Sequence, residues 1–267
     1  MAKATSNKGS RNGAATVGRR PAAPDTRGVA APKRRRNRAL PDCADAAAAL
    51  RDREVPRETT KQSYHHGALR EALVAAGEAV LAERGLQGFT LRECARRAGV
   101  SHAAPKHHFG DVRGLLTEIA ARGFAQLTKR LRTKLRAAGD DLDAQFIATA
   151  EAYLGFAEAY PEHFRIMFRS DLVDVYEPSL IRAAQQTFIE LTNVIHRQHG
   201  EPEVDAELVE LRLMSIPVVN DIVLAWSYVH GLAHLKVEGQ LAMIPKAVLK
   251  DAMTSAALRL GPMTRPR

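Results

Sequence analysis

The sequence predicts an all-α protein, and three observations carry that prediction. From Tyr64 onward apolar residues recur every three or four positions, no stretch alternates in the period of a strand, and glycine or proline interrupts the pattern where helices would end. The 267 residues hold 39 Lys+Arg against 30 Asp+Glu, a net charge of +9, and are 45% apolar, a balance suited to a globular chain.

Residues 1–60 stand apart. They are rich in Ala, Gly, Pro, Ser, Thr and Arg, too poor in apolar surface to offset the entropy of ordering, and are expected to form a disordered basic tail. Residues 1–40 carry eleven Lys and Arg against the single acid Asp25, a balance of +10, so the rest of the chain sums to −1. The run Lys33-Arg34-Arg35-Arg36-Asn37-Arg38 would attract phosphate backbones without regard to sequence. The alternative is an extension without function, from a start assigned too far upstream.

After the tail each element follows from local chemistry. Leu69, Leu73, Ala76 and Val80, widened by Ala72 and Leu81, predict an amphipathic helix of about five turns that ends at Arg84-Gly85, where glycine takes a left-handed cap. Thr90 opens a second helix as its N-cap, with Glu93 completing a capping box. Leu91, Cys94, Ala95 and Ala98 face inward, and Gly99 stops it. Gly99-Val100-Ser101 is a tight turn, and Ser101 is the expected N-cap of a short third helix running through Phe109. Val112, Leu115, Leu116, Ile119, Phe124, Leu127, Leu131 and Leu135 then hold a long helical stripe. Further helices are punctuated at Gly139-Asp140, Tyr160-Pro161, Glu177-Pro178, Gly200-Glu201-Pro202, Pro217, Gly239, Pro245 and Gly261. The expected organisation is a tail (1–60), a three-helix domain (61–120) and a larger helical domain (121–267).

Two short helices joined by a glycine turn and preceded by a supporting helix form a helix-turn-helix. Its second helix presents a polar side of a width that a DNA major groove, ~12 Å across, admits. The ordered set from Gly85 through Phe89-Thr90-Leu91-Arg92-Glu93-Cys94-Ala95-Arg96-Arg97-Ala98-Gly99-Val100-Ser101 to Phe109-Gly110-Asp111 and Leu115-Leu116 resembles the DNA-binding domain of the TetR family of bacterial transcription regulators. Trp226-Ser227-Tyr228-Val229-His230-Gly231-Leu232 is similar to the Trp-His-Gly signature of one C-terminal subtype of that family. The resemblance spans about residues 64–260. It implies a homodimer built on the last two long helices, a palindromic operator in double-stranded DNA, and a small-molecule effector that shifts the two reading heads. A repressor is the expected role; a non-specific DNA-coating protein relying on the basic tail is the alternative.

Where most family members carry Leu-Tyr in the reading helix, this chain has Pro105-Lys106. Proline near a helix start is tolerated, because the missing N–H has no intrahelical partner there. Lysine keeps a phosphate contact through charge, so a steeper salt dependence is expected. Thr90 and Ser101, at helix N-termini, suit phosphates. His102, Ala103, Ala104 and Lys106 form the expected exposed reading face, His107 a phosphate ligand, and Arg113 a backbone clamp. Arg92, with Arg96 and Arg97, lies at the margin.

Six of the fourteen aromatic residues fall in the stretch from Tyr153 to Tyr176. Tyr153, Phe156, Phe164 and Phe168, together with Trp226 and His230, form either helix core or the wall of a ligand pocket. The helix around Trp226 is apolar nearly all round and is expected to be buried on several sides. Neither Cys43 nor Cys94 belongs to a CxxC pair, and the pairs His196/His199 and His230/His234 lack an acidic residue to complete a zinc motif, so no metal site is expected. Cys94 is expected to be a core thiol. No nucleophile set, phosphate loop or cofactor glycine motif is present, so neither an enzyme nor a cofactor is expected. The stretch Val218–Leu235 is broken by Asn220, Asp221, His230 and His234, so no span is expected, and the basic N-terminus lacks the apolar region of a signal peptide. A cytoplasmic protein without membrane association is expected.

Overall fold

The computed structural model describes residues 60–205 and 215–263; the expected basic tail, Thr60 excepted, lies outside the described residues. Among the described residues the chain forms nine α-helices, one 3-10 turn at Leu86–Gly88 and no strand. The helices are α1 (Thr60–Arg84), α2 (Leu91–Arg97), α3 (Ala104–Phe109), α4 (Val112–Ala138), α5 (Leu142–Ala159), α6 (Pro161–Met167), α7 (Pro178–His199), α8 (Ile216–Val237) and α9 (Lys246–Met263). All-α architecture is therefore the observed one.

Helix α4 is the spine. Its first half packs against α1 and α3, and its length receives α5, α6 and α7; α8 lies on α5 and α7, and α9 on α5. The stripe expected of α4 is the one buried, with Leu115, Leu116, Ile119, Phe124, Leu127 and Leu131 in the core, while Val112 at its start is exposed. Its ends are set by chemistry legible in the sequence. Asp111 accepts a hydrogen bond from the Gly114 N–H at 3.0 Å, and Gly139 closes the last turn at φ 63°. The proline breaks became helix starts: Pro161, Pro178 and Pro217 each sit in a first turn, where no N–H is needed.

Two packing expectations are corrected. In α1, Leu73, Val74, Ala76, Val80 and Leu81 are buried, but Ala72 faces solvent, because the helix turns its 73/74/76/77 side to α4. Helix α8 is buried along one side only, through Val218, Ile222, Val229 and Ala233. Its other side leaves Ile216 77% and Val223 54% exposed, with Leu224 and Leu235 beside them. One chain supplies walls for only part of so apolar a helix. Helix α8 is also long and apolar enough to cross a membrane by length and composition. Its Asp221 nevertheless accepts a hydrogen bond from His199 of α7 at 2.8 Å, and Val229 and Ala233 belong to the shared core, so it is built into the helical body.

Candidate functional site

The turn between α2 and α3 is built almost entirely from local hydrogen bonds. The Thr90 hydroxyl caps α2 by accepting from the Glu93 N–H at 3.2 Å. At the other end the Val100 N–H reaches the Ala95 carbonyl at 3.1 Å, and the Gly99 N–H reaches that of Arg96 at 3.3 Å. This is a Schellman closure, which requires the left-handed conformation that Gly99 adopts at φ 68°. Cys94 and Ala95 are fully buried beneath it. Burial pushes the Cys94 thiol up to about 11, which makes it a packing residue with little thiolate at neutral pH.

The expected capping box is only half formed. Glu93 does not return to the backbone; its carboxylate accepts from Arg96 at 2.8 and 2.7 Å and from Arg97 at 3.1 Å, and these hydrogen bonds hold its pKa down at about 2. Arg97 also donates to Glu83, tying α2 to α1. Arg96 and Arg97 are thus engaged within the protein, whereas Arg92 points outward from the first turn of α2. Arg92 lines a shallow surface hollow with Thr90, Arg84, Arg96 and His102, over the N-terminus of α2.

Helix α3 starts later than the sequence suggests. Ser101 is not its N-cap: the Ser101 carbonyl accepts from the Ala104 N–H at 3.1 Å, and Ala103 takes the cap position without a side-chain bond. Pro105, expected about four residues into the helix, instead lies in its first turn and is buried, anchoring α3 to the domain. His102 and Ala103 therefore precede the helix instead of standing on it. His102, Ala103, Lys106 and His107 are exposed, while Ala104 and His108 are half-buried.

The unit is fastened to α4 closely. The guanidinium of Arg70 lies 4.8 Å over the Phe109 ring, donates to the His108 carbonyl at 3.3 Å and pairs with Glu118. At Gly114 an added Cβ would lie 2.0 Å from the Phe109 carbonyl oxygen, so the α3–α4 corner closes only around glycine. Arg113, expected to clamp DNA, is placed elsewhere: it donates to the carbonyls of Ser170 and Val173 at 3.1 and 2.6 Å. Beside it the Thr117 hydroxyl accepts from the Asp174 N–H at 2.8 Å. The start of α4 is latched to the loop after α6.

The residues expected for a ligand site split. Four of the six converge on a fifth, His230. Its Nδ1 lies 2.8 Å from the Tyr153 hydroxyl, and its ring lies 5.3 Å from Phe164, 4.6 Å from Phe168 and 6.2 Å from Trp226. Burial raises the Tyr153 pKa, so the phenol keeps its proton in this hydrogen bond. Burial lowers that of His230, with a smaller contribution from the His234 charge. Phe156 stands apart against Tyr160 and is wholly buried. Tyr153, Phe156 and Phe164 are core, the other alternative left open by the sequence.

The cavity lies next to this cluster, between α5, α7 and α8. It is narrow, about 50 Å³ in volume, and takes Trp226 as one wall. Phe146 and Ala150 of α5, Phe188, Leu191 and Ile195 of α7, and Ile222 and Val229 of α8 supply the rest. None of these was named as a ligand contact from the sequence. The available signal was the helically spaced run Phe188, Leu191, Ile195, which reads equally as core. The histidine pairs do not converge: His199 binds Asp221, while the buried ring of His196 has no hydrogen-bond partner among the described residues.

A capped helix, a glycine turn and a short outward-facing helix on a rigid base define a helix-turn-helix regulator. Comparison with known proteins carries this further. Residues 73–119 match the family described as "Bacterial regulatory proteins, tetR family", and residues 146–259 match "Tetracyclin repressor-like, C-terminal domain". The chain belongs to the TetR family and is a DNA-binding transcriptional regulator. Among solved structures it is similar to a protein of unknown function from Rhodococcus sp. RHA1, with 29% identity and a TM-score of 0.60 over 76% of this chain and 98% of that one. It is also similar to a transcriptional regulator from Rhodococcus sp. Rha1, with 25% identity and a TM-score of 0.51 over 73% of this chain and 95% of that one. No curated protein matches the chain.

Proposed function

We propose that the protein is a homodimeric, cytoplasmic repressor that binds a palindromic operator and is released from it by a small molecule. The observation that carries the DNA-binding half is the placement of α3. Pro105 is turned inward, while Lys106 and His107 are turned out on a helix short enough to enter one major groove, and His102 and Ala103 are exposed on the turn just before it. Thr90, Ser101, Arg92, Lys106 and His107 are the phosphate contacts in this reading, and His102, Ala103 and Ala104 face base edges. Arg113 leaves the contact set and becomes the link between α4 and the body.

The dimer half rests on α8. Ile216, Val223, Leu224 and Leu235 share its exposed side with the small residues Ser227 and Gly231, which permit close approach of a second helix. A two-fold pairing there would present two copies of α3 to half-sites about one helical turn apart. The release half rests on contiguity. Trp226 on the cavity wall contacts Phe168, and Phe168 leads into the loop whose carbonyls hold Arg113. A ligand that fits one shape of the cavity better than the other shifts the pose of α4, and ~2.7 kcal/mol of preference gives a hundredfold change in operator affinity.

Selection of binding sites from random duplex DNA with the full chain tests this reading. Enrichment of an inverted repeat is the expected outcome, and it persists when residues 1–59 are removed. Recovery of unrelated sequences, or binding that vanishes with the tail, would favour a non-specific coating protein instead.

A further inference from the structure

Among the described residues, no charged side chain lines the cavity between α5, α7 and α8. Its polar groups are the hydroxyls of Thr149, Thr192 and Tyr228 and the indole N–H of Trp226, which is engaged with Tyr153. Thr149 donates its proton to the Gln145 carbonyl at 2.8 Å, and Thr192 donates to that of Ile189 at 3.3 Å. A hydroxyl has one proton, so each threonine offers a ligand only lone pairs. Tyr228 keeps its phenolic proton, since burial raises its pKa. The contrast with the neighbouring groove is plain: between α4, α5, α8 and α9 the lining includes Arg130, Lys134, Glu151, Glu158 and Lys236.

We infer that the cavity takes an uncharged, largely apolar molecule of about one ring with a single hydrogen-bond donor, which Thr149 and Thr192 accept. This names the ligand class for the release mechanism proposed above and rests on that reading for its effect on DNA. A carboxylate or phosphate entering the cavity would shed its hydration without meeting a cation, and both threonines would face it with lone pairs. A bare hydrocarbon would fit the walls and leave the threonine lone pairs unmatched. A phenol or alcohol satisfies both demands.

Trp226, the single tryptophan of the sequence, is part of the wall and reports occupancy by fluorescence. The test titrates the full chain with para-propylphenol, propylbenzene and para-propylbenzoate, read by Trp226 emission and by calorimetry. Para-propylphenol binds tightest, propylbenzene about tenfold or more weaker, and the benzoate gives no saturable signal. In Thr192→Val and Thr149→Val, near-isosteres whose fold is checked by melting temperature, the advantage of the phenol over the hydrocarbon shrinks while hydrocarbon binding stays. Tightest binding by the benzoate, or no binding by any of the three, would overturn the inference. The same titration repeated on DNA-bound protein separates the two claims: phenol binding without DNA release supports the ligand class and overturns the release mechanism.

Discussion

Arg113 shows how far a residue's role depends on what surrounds it. Its position three residues after Gly110 suits a phosphate clamp, yet its guanidinium is spent on the carbonyls of Ser170 and Val173. Nothing local in the sequence shows that a loop sixty residues away arrives there. Arg113→Ala is therefore expected to leave the salt dependence of DNA binding unchanged while weakening the response to ligand. Lys106→Ala is expected to lower affinity on all sequences and to reduce the salt slope by about one, the loss of one phosphate contact. Binding titrations across a salt series check both. Histidine sets a second residue-scale expectation. Burial lowers the folded-state pKa of His230 and His196 below the ordinary value of 6.5. The unfolded chain then binds more protons as pH falls through about 6.5, so stability drops on the acid side until the folded pKa values are passed. Thermal melts between neutral and mildly acidic pH should show this, and His230→Gln should flatten it in part.

At the scale of elements, the turn was legible because its parts are local. Thr90, Cys94, Ala95, Gly99 and Val100 occupy in the structure the positions their chemistry implied, as do Gly85 and Asp111 at helix ends. What misled was competition. Glu93 had a capping partner in Thr90 and stronger partners in Arg96 and Arg97, and the ion pairs won. Ser101 had the side chain of an N-cap, but Pro105 draws the helix start to where a proline costs nothing, and that start is Ala104. The α3–α4 corner gives a sharp test. In Gly114→Ala the new methyl meets the Phe109 carbonyl, so α3 must shift. A destabilisation of about 1–3 kcal/mol is expected, with a loss of operator affinity larger than that stability change explains. Melting and DNA titration of the same variant measure the two parts.

For the whole molecule, helical periodicity announced the architecture and the spine α4, but periodicity cannot say which neighbour covers a face. Helix α8 was expected to be enclosed, and a single chain leaves Val223, Leu224 and Leu235 open. The aromatic run from Tyr153 read equally as core or pocket; Tyr153, Phe156 and Phe164 are core while Tyr160, Phe168 and Tyr176 are exposed, and the cavity is shaped by α7 residues that look like any amphipathic stripe. Which of two apolar stripes encloses space depends on how three helices cross, and no single segment encodes that. Val223→Asp on α8 is expected to yield a folded monomer that binds its operator at least tenfold more weakly, because two reading heads no longer bind as one. Sedimentation and DNA titration at matched concentrations test it.

The most direct measurement is a hydroxyl-radical footprint of the selected operator by the full chain, repeated with Lys106→Ala. The expected pattern is two protected tracts on one face of the duplex, about one helical turn apart, both weakened by the substitution. Uniform protection along the DNA, or a footprint indifferent to Lys106, would contradict a reading helix at α3.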